Sequence, residues 1–368
     1  MKKYEIAVVH GDGIGPEVCQ SALDVLNATP GLDGVFDYVE FQGGAGHYLK
    51  SGTAFPDETR KGCRKAHAVL HGATGIPGVT YPDGTETGIE FGLQLRFALD
   101  IYANVRPIKL RPGVTSRLAN RREGDIDYVI MRENTEGLYA ARGGGVLLRG
   151  ETAVDTLVMT RKGVERICRA SFELARKRNG APGDGKKRVT VVDKANVLRS
   201  YAFFRRIFDE VGEQYPDIER DYAYADAMTC YMVERPEHFD VVVTENMFGD
   251  IITDLGAATV GSMGMSPSAE LGDHNGFFQA AHGSAPTIAG KNIANPYGTI
   301  LSAAMMLQWL GERHGDARLS SASETIERSV NHAMLQASGL TRDLGGKAST
   351  TDITRLVIDG LQAAAVPA

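Results

Sequence analysis

Cysteine is scarce in this sequence. Its four cysteines, at positions 19, 63, 168 and 230, show no CxxC spacing, which argues against a zinc site and against a disulfide framework. Basic residues are not in excess, since 40 Lys and Arg face 46 Asp and Glu, so the charge footprint of a nucleic-acid-binding protein is missing. No run approaches the roughly 18 apolar residues of a membrane span, and residues 1–9 lack the apolar core of a signal peptide. We therefore expect a cytoplasmic protein that binds neither nucleic acid nor membrane.

Strand-like and helix-like segments alternate along the chain. Short apolar runs such as 4–9 and 240–244 are separated by amphipathic stretches such as 162–177 and 300–310. Thr160 stands where a helix cap belongs, just before the first of these stretches. The alternation predicts an α/β protein with a mixed sheet covered by helices, and 368 residues are enough for two domains.

Glycine is abundant, and its densest motif is Gly11-Asp12-Gly13-Ile14-Gly15-Pro16-Glu17. The motif follows a predicted strand and opens a predicted helix, with Pro16 suited to the first helical turn. Its alternating glycines do not match the G-x-G-x-x-G fingerprint of dinucleotide sites. A plain tight turn therefore stands as an equal alternative to a cofactor contact.

Two aspartates follow the apolar run 241–243. The motif Phe248-Gly249-Asp250-Ile251-Ile252-Thr253-Asp254 places Asp250 and Asp254 on one face of a predicted helix. Like charges four residues apart destabilise a helix by about 0.2–0.5 kcal/mol, which a cation between them would offset. Oxygen ligands favour Mg²⁺ or Mn²⁺, and Asp226 is a candidate third carboxylate. The alternative is a pair of solvated acids favoured by the helix dipole.

Arginines supply the complementary charge. Arg96, Arg106 and Arg132 are candidates for binding a substrate with several carboxylates, because a planar guanidinium pairs with a carboxylate through two hydrogen bonds. Arg106 and Arg132 are each predicted to end a strand. Tyr139 and Lys194 are candidate proton-transfer groups if they lie near the metal and the arginines. Taken singly, each arginine is better explained by a surface salt bridge.

Six motifs together resemble one enzyme family. In chain order they are Gly11-Asp12-Gly13-Ile14-Gly15-Pro16-Glu17-Val18, Ala103-Asn104-Val105-Arg106-Pro107, Arg132-Glu133-Asn134-Thr135-Glu136-Gly137, Asp193-Lys194-Ala195-Asn196-Val197, Asn246-Met247-Phe248-Gly249-Asp250-Ile251 and His282-Gly283-Ser284-Ala285-Pro286. They occur in the order found in the isocitrate/isopropylmalate dehydrogenase family of decarboxylating β-hydroxyacid dehydrogenases. That family includes isocitrate, homoisocitrate, 3-isopropylmalate, tartrate and D-malate enzymes, and the resemblance runs along nearly the whole chain.

The resemblance implies an isopropylmalate dehydrogenase-like fold of two domains, with a mixed sheet flanked by helices, which is not the Rossmann dinucleotide-binding fold. Residues 1–101 and 261–368 would form a large cofactor-binding domain. Residues 102–260 would form a small domain with the dimer interface and an arm at about 140–160. The resemblance also implies a homodimer in which each active site takes Lys194 and Asp226 from the other subunit.

By match of motif, the resemblance assigns a role to each candidate residue. The arginines Arg96, Arg106 and Arg132 would bind the malate carboxylates, and the acids Asp226, Asp250 and Asp254 would hold Mg²⁺ or Mn²⁺. Lys194 would take the proton from the 2-hydroxyl, and Tyr139 would protonate the enol left after carbon dioxide departs. The chemistry is consistent, because hydride loss makes a 2-keto acid, a metal polarises its carbonyl, and the β-carboxylate can then leave.

The segment 282–295 resembles the family's cofactor loop. Its candidate cofactor-binding residues, with Ile14 of the glycine motif, are His282, Gly283, Ser284, Ala285, Thr287, Ile288 and Asn295. NAD-using members commonly carry an acid at position 287 and NADP-users often carry Tyr at position 288, whereas this chain has Thr287 and Ile288. NAD is favoured, although Thr287 with Arg342 would also tolerate the phosphate of NADP. A second departure is Gln279-Ala280-Ala281, where Glu-Pro-Val is more usual.

The stretch before Arg96 is expected to contact the substituent of the substrate. Isocitrate enzymes typically have Ser and Asn where this chain has Glu90 and Gly92, and homoisocitrate enzymes have a basic residue where it has Leu93. Glu90 would repel a charged substituent, so 3-isopropylmalate, D-malate or tartrate is favoured over isocitrate and homoisocitrate. Residues 134–137, in contrast, look less like the bacterial isopropylmalate type.

Two other classes of function compete with an enzyme. A non-catalytic paralogous subunit would be expected to lack Lys194, Tyr139 or the metal acids, and all of these are present. A nucleotide-binding module with another activity would depend on the glycine turn alone. Such a module would bind nucleotide and ignore both divalent metal and malate analogues.

Overall fold

A computed structural model describes residues 2–141 and 144–364. Arg142 and Gly143, in the predicted arm, and residues 365–368, at the end of the predicted large domain, lie outside the described residues. The chain divides into two compact units, which are Met1–Asp100 with Arg111–Thr115 and Gly261–Ala368, and Ile101–Leu110 with Ser116–Val260. Residues 111–115 thus fall in the first unit and Ile101 in the second, whereas the resemblance implied the small domain for 111–115 and the large domain for Ile101. The functions predicted for the two domains stay predictions.

The helices and strands alternate through both units. The first unit begins with β1 (Tyr4–Gly11), α1 (Gly15–Ala28), β2 (Phe36–Glu40), α2 (Ala45–Ser51), α3 (Asp57–Lys65), β3 (Ala68–Ala73) and α4 (Thr87–Leu99). The second unit has β4 (Ala103–Lys109), β5 (Asp127–Glu133), β6 (Val146–Leu148), β7 (Thr152–Val154), α5 (Arg161–Lys177), β8 (Arg188–Asp193), α6 (Arg199–Gly212), β9 (Glu219–Tyr224), α7 (Ala225–Glu234), β10 (Val241–Thr244) and α8 (Asn246–Thr259). The chain then returns to the first unit with β11 (Pro267–Leu271), β12 (Gly276–Ala280), α9 (Tyr297–His314), α10 (Ala317–Leu335) and α11 (Thr350–Ala364).

The strands of the first unit run in the order β2-β1-β3-β12-β11. β1 is parallel to β2 and β3, β3 is parallel to β12, and β11 and β12 are antiparallel. Every residue of β3 is buried, as expected for a strand covered by helices on both faces. Helix α1 packs against β3 and helix α9 against β11 and β12, so this unit is a mixed sheet flanked by helices.

The strands of the second unit run in the order β4-β5-β10-β8-β9. β4 and β5 are antiparallel, and the remaining neighbours are parallel. Helices α5 and α6 bury Phe172, Phe204 and Phe208 in a core with the valines of β8 and β10. The hydroxyl of Thr160 accepts a hydrogen bond from the Gly163 amide, so the predicted helix cap is confirmed. Both units confirm the predicted α/β class with mixed sheets covered by helices.

One predicted strand end is wrong. Arg106 lies inside β4, which continues to Lys109 by pairing Pro107 with Val129 and Ile108 with Tyr128. The residue before a proline favours an extended backbone, and β5 supplies an antiparallel partner, so Pro107 does not end the strand. Arg132, in contrast, is the second-last residue of β5, close to its predicted place.

Within the predicted arm, β6 and β7 form a separate antiparallel hairpin. Arg149 and Gly150 both have positive φ at its turn, as the two central residues of a type I′ turn do. Val146, Leu147 and Leu148 are exposed on the hairpin. Such a two-stranded ribbon with exposed apolar side chains is at best marginally stable by itself in water.

No helix in the described part of the chain is both long enough and apolar enough to cross a membrane. All four cysteines are free, with Cys19, Cys63 and Cys168 buried and Cys230 exposed.

Candidate active site

Strand β5 and helix α8 bring the central side chains of the second unit together. Glu245 caps α8, because its carboxylate accepts hydrogen bonds from the amides of Met247 and Phe248 at 3.0 and 2.8 Å. Gly249 lies under Arg132, and a Cβ at this position would stand only 2.6–2.7 Å from the arginine side chain. The glycine of the Phe-Gly-Asp motif therefore leaves the space through which Arg132 reaches the helix.

Arg132 and Asp250 form an ion pair at the centre of this cluster. Asn246 orients the arginine, since its Oδ1 accepts hydrogen bonds from Nε at 2.9 Å and from Nη2 at 2.7 Å. The Tyr139 hydroxyl donates to the second oxygen of Asp250 at 3.1 Å. The guanidinium of Arg106 lies 3.8 Å from Asp250. The structure thus brings four of the predicted site residues to one place.

The ionisation of this cluster follows from burial and charge. Desolvation raises the pKa of the Tyr139 phenol, and the neighbouring Asp250 carboxylate raises it further, while Arg132 opposes the shift. Asp254 lies one turn after Asp250 on α8. Partial desolvation and then the charge of Asp250 raise the pKa of Asp254. Two acids that disfavour each other's charge are a suitable pair for a cation.

The loop from Arg132 to Tyr139 is built on two further carboxylates. Glu133 is buried and accepts hydrogen bonds from the amides of Thr135 and Glu136. Desolvation nevertheless raises the pKa of Glu133 to about 7. Glu136 accepts from the Thr160 amide at 2.8 Å, and the carboxyl of Glu136 lies where a Cβ on Gly163 would be. The side chain of Glu136 therefore holds this loop against the start of α5, three residues before Tyr139.

Lys194 and Asp226 form a separate pair in the same unit. The Lys194 ammonium donates to the Asp226 carboxylate at 2.6 Å, and this hydrogen bond lowers the pKa of Asp226. Asp226 is exposed at the start of α7. Within the described ranges of a single chain, no group of three or more His, Cys, Asp or Glu side chains is placed to hold a metal ion. The predicted three-acid site is therefore not assembled within one chain.

In the first unit, Arg96 is held by a residue that the sequence did not predict. The guanidinium donates from Nε and Nη2 to the two oxygens of Glu270, both at 2.8 Å. Glu90, earlier on α4, accepts a hydrogen bond from Gln94, and Leu93 is buried. The structure therefore places both residues predicted to contact the substituent on α4, Leu93 about one turn before Arg96 and Glu90 nearly two turns before it.

The predicted cofactor residues of the first unit lie together. The Ile14 amide donates to the Ser284 carbonyl at 2.8 Å, and Ile14 packs with Ala285 and Ile288 in a small apolar cluster. A Cβ at Gly13 would stand 2.0 Å from the Ser284 carbonyl oxygen. The glycine motif is thus a tight turn that packs directly against the predicted cofactor loop. The two interpretations of the motif, a plain turn and a cofactor contact, are therefore compatible.

Other residues of this loop have structural partners. Asn295 donates to Asp343 at 2.9 Å and accepts from the Tyr297 amide at 3.0 Å. The ring of His282 contacts the Gly283 carbonyl at 3.0 Å, and burial lowers the pKa of His282. Thr287 is exposed, and the Lys291 ammonium donates to its carbonyl at 2.8 Å. No acid stands at position 287 to oppose a phosphate.

In each unit, some of the residues that hold the predicted site residues had no predicted role. Asn246 was part of a recognised motif, and its place four residues before Asp250 was the signal that it shares a helix face with that acid. Glu245 follows a strand and precedes a helix, which is the position of an acidic cap. Glu270 carried no comparable local signal, because its partner Arg96 is 174 positions away. Gln279 was noted only as a departure from the pattern of the resembled family.

A family model and the sequence relatives of this chain agree on one protein family. The family model described as isocitrate/isopropylmalate dehydrogenase matches residues 5–357. A 3-isopropylmalate/3-methylmalate dehydrogenase of Methanocaldococcus jannaschii is 43% identical over 356 residues, which cover 96% of this chain and 98% of that protein. A 3-isopropylmalate dehydrogenase of Corynebacterium glutamicum strain R is 40% identical over 364 residues, which cover 97% of this chain and 99% of that protein.

Solved structures agree with the sequence relatives. The crystal structure of isocitrate dehydrogenase from Methylococcus capsulatus is 35% identical, with a TM-score of 0.85 over 98% of this chain and 99% of that chain. A β-decarboxylating dehydrogenase from Thermococcus kodakarensis in its apo form is 37% identical, with a TM-score of 0.77 over 98% of this chain and 96% of that chain. These likenesses confirm the predicted fold class.

Proposed function

Because this chain belongs to the isocitrate/isopropylmalate dehydrogenase family, we propose that it oxidises and decarboxylates a 3-substituted malate with NAD and a divalent metal ion. As a member of this family, the chain is a decarboxylating hydroxy-acid dehydrogenase that acts on a malate-type substrate. The observation that carries the finer proposal is the cluster of Asp250 with Arg132 and Tyr139, because it joins an acid, an anion-binding group and a proton donor.

The substrate proposed is 3-isopropylmalate or a malate with a similar apolar substituent. Relatives at 40–43% identity carry that substrate in their names. Glu90 supports the proposal, since a carboxylate on α4 opposes a charged substituent such as that of isocitrate. The buried guanidinium groups of Arg106 and Arg132, with Arg96, would bind the two malate carboxylates.

Two side chains would handle protons. The ordinary pKa of a tyrosine, 10.0, already keeps the Tyr139 phenol protonated at neutral pH, and burial raises this pKa further. The phenol therefore carries a proton that it could donate to the enol that remains after carbon dioxide leaves. Lys194, supplied by the other subunit, would accept the proton of the 2-hydroxyl during oxidation. Its hydrogen bond to Asp226 supports the view that these two residues enter a site together.

Asp250 and Asp254 fit a hard divalent cation. They present carboxylate oxygens from one face of α8, and the like charge that raises the pKa of Asp254 would be neutralised by a cation. Arg132 and Tyr139 contact the oxygens of Asp250, so a bound metal ion would share this carboxylate with both residues. When bound, Mg²⁺ or Mn²⁺ polarises the carbonyl of the 2-keto acid. Asp226 of the other subunit would complete the set.

The turn at Ile14 and the loop from Ser284 to Ile288 would hold NAD. Their contact supports a shared binding surface, because the Ile14 amide is fixed on the Ser284 carbonyl. Ile288 offers an apolar surface to the adenosine, and Asn295 lies at the end of the loop. When bound, the nicotinamide accepts the hydride from the substrate. Thr287 would leave the ribose 2′-hydroxyl without an acidic partner.

The enzyme is proposed to work as a homodimer. The exposed side chains of the β6–β7 hairpin support this, since Val146, Leu147 and Leu148 need a covering surface. Val197 and Leu198, just after Lys194, are further exposed apolar side chains that a second copy would cover. A cytoplasmic location stays a prediction of the sequence.

A panel of 2-hydroxy acids tests the proposal. Purified protein would be assayed with 3-isopropylmalate, D-malate, tartrate, isocitrate and homoisocitrate, each with NAD or NADP and Mn²⁺, by the absorbance of the reduced cofactor. The highest kcat/KM is expected with 3-isopropylmalate and NAD. A clear preference for isocitrate or homoisocitrate would overturn the substrate assignment and leave the reaction class intact.

A further inference from the structure

Arg96 and Glu270 form an ion pair that is almost fully removed from solvent. The Arg96 side chain is 10% exposed and that of Glu270 is 0% exposed. The pairing is bidentate, with Nε on one carboxylate oxygen and Nη2 on the other, both at 2.8 Å. A guanidinium bound through two parallel hydrogen bonds has a fixed orientation, and its positive charge is balanced by the carboxylate.

The carboxylate of Glu270 is held in turn by Gln279. The Gln279 amide donates to Glu270 Oε1 at 2.9 Å, and its carbonyl oxygen accepts from His71 Nδ1 at 2.8 Å. The strand register produces this row, because Ser268 lies opposite Gln279 and Glu270 is two residues further on the same face. Gln279 stands where the resembled family more usually has Glu. A second carboxylate could not donate to Glu270, so the neutral amide matches its neighbour.

The hydrogen-bond donors around Glu270 require a carboxylate at this position. Glu270 accepts at least three hydrogen bonds, two from Arg96 and one from Gln279. A glutamine at position 270 would offer one acceptor oxygen, and its own N–H groups would face donors. The Arg96 guanidinium would then have to turn away from its present orientation. An aspartate would keep both oxygens and the charge but would retract them by one methylene.

We propose that Glu270 is a positioning residue for substrate binding, which fixes the guanidinium of Arg96 in the orientation that receives a substrate carboxylate. The inference rests on the proposed function, in which Arg96 binds the malate unit. Glu270 acts through Arg96 and does not touch the substrate. Arg96 and Glu270 belong to the same unit, so their pairing fixes the guanidinium of Arg96 before the substrate binds. This lowers the entropy cost of ordering that side chain on binding.

A double-mutant cycle tests this role. The variants are Glu270→Gln, Glu270→Asp, Arg96→Lys and the double variant Arg96→Lys with Glu270→Gln, assayed as full-length enzyme with 3-isopropylmalate and NAD. Glu270→Gln is expected to raise the KM for 3-isopropylmalate about tenfold or more, as when one partner of a buried charge pair is truncated. The KM for NAD is expected to stay unchanged, and Glu270→Asp should lie between the wild type and Glu270→Gln. With Lys at position 96, Glu270→Gln should change kcat/KM no further.

A second buried arginine of the same unit provides the control. Arg111 is 5% exposed on its side chain and lies 3.7 Å from Glu327, so Glu327→Gln also removes the charged neighbour of a buried arginine. This variant should leave both KM values unchanged. Thermal unfolding of every variant shows whether a change in KM merely follows lost stability.

The possible results separate this inference from the proposed function. The positioning role would be overturned if Glu270→Gln changed kcat/KM by the same factor with Arg96 as with Lys at position 96. A lower KM for 3-isopropylmalate in Glu270→Gln would also overturn it. If Glu270→Gln does not fold, an unchanged KM in Glu270→Asp would have the same meaning. A wild-type KM in Arg96→Lys would instead refute the assignment of Arg96, and a wild-type enzyme inactive on every hydroxy acid would refute the proposed function itself.

Discussion

The Tyr139 phenol donates a hydrogen bond of 3.1 Å to the carboxylate of Asp250. This contact joins a proton donor to a proposed metal ligand, and burial with the charge of Asp250 raises the pKa of the phenol. A substrate carbon beside Asp250 would therefore lie within reach of a hydroxyl that is protonated at neutral pH.

Replacing Tyr139 by phenylalanine removes the proton donor and keeps the ring. We expect kcat with 3-isopropylmalate to fall about 100-fold or more, the usual scale of a lost general acid. The KM should change little, because the arginines stay in place. Steady-state kinetics measures both values, and Tyr102→Phe, a tyrosine beside Arg166 in the same unit, is the matched control. A variant with near wild-type kcat would remove Tyr139 from the mechanism.

Asp254→Asn should separate metal binding from stability. The substitution removes the like charge that faces Asp250, so the metal-free protein should unfold at the same temperature or a higher one. The same change removes a proposed metal ligand, and the Mn²⁺ concentration for half-maximal activity should rise about tenfold or more. Thermal unfolding in chelator and a Mn²⁺ titration of activity measure the two effects. Full wild-type activity in chelator would show that no divalent metal is needed.

Glu133 should make stability depend on pH. Its folded-state pKa of about 7 lies above the ordinary value of 4.5, so the folded protein prefers the neutral carboxyl. Its stabilising contribution is complete below about pH 4.5 and is lost as pH rises through 7, a change of about 3 kcal/mol in the free energy of unfolding. Between pH 5 and pH 8 the free energy of unfolding measured in urea should therefore fall by about 2.5 kcal/mol more in the wild type than in Glu133→Gln.

The other end of β5 offers a control for this prediction. Although burial opposes it, the charges of Lys109 and Arg178 lower the pKa of Asp127. Its contribution is present above the ordinary value of 3.8 and is lost only as pH falls below it. Asp127→Asn should leave the difference between pH 5 and pH 8 unchanged. If Glu133→Gln keeps the wild-type difference, the carboxyl of Glu133 titrates outside this range.

Thr287 should set the balance between the two nicotinamide cofactors. We expect the wild type to have the higher kcat/KM with NAD. Thr287→Asp would place a carboxylate beside the ribose, where it binds a 2′-hydroxyl and repels a 2′-phosphate, so efficiency with NADP should fall about tenfold or more. Thr287→Asn, uncharged and of equal size to Asp, should lack this effect. Better use of NADP than of NAD by the wild type would contradict the cofactor assignment.

Sequence reasoning succeeded where the signal was local. The hydroxyl of Thr160 and the four-residue spacing of Asp250 and Asp254 predict a cap and a shared helix face, and both are confirmed. The order of six motifs predicted the family because each motif is a short run of consecutive residues that can be recognised without knowledge of tertiary contacts.

What the sequence did not show depends on contacts between distant segments. Arg96 and Glu270 are 174 positions apart, and nothing near either residue predicts the other. Arg106 was predicted to end a strand, whereas pairing with β5 extends the strand to Lys109. In both cases tertiary pairing decides the outcome, which no local pattern contains.

Subunit exchange tests whether active sites are shared. Lys194 and Asp226 form their own pair, while Tyr139 contacts Asp250, and we predict that the first pair completes the site of the other subunit. Lys194→Ala and Tyr139→Phe should each be nearly inactive as homodimers. In a mixed dimer, one site would collect both defects and the other would regain an intact Lys194 and Tyr139.

After complete exchange of equal amounts, half of the dimers are mixed and each has one intact site, so activity should approach about a quarter of the wild-type value. Native mass spectrometry measures the exchange, and the absorbance of reduced cofactor measures activity. Mixing Lys194→Ala with Asp226→Ala is the control, because both defects would then enter a site from the same side and no intact site can form. If exchange is complete while the first mixture stays as inactive as its parents, Lys194 and Tyr139 act within one subunit or have other roles.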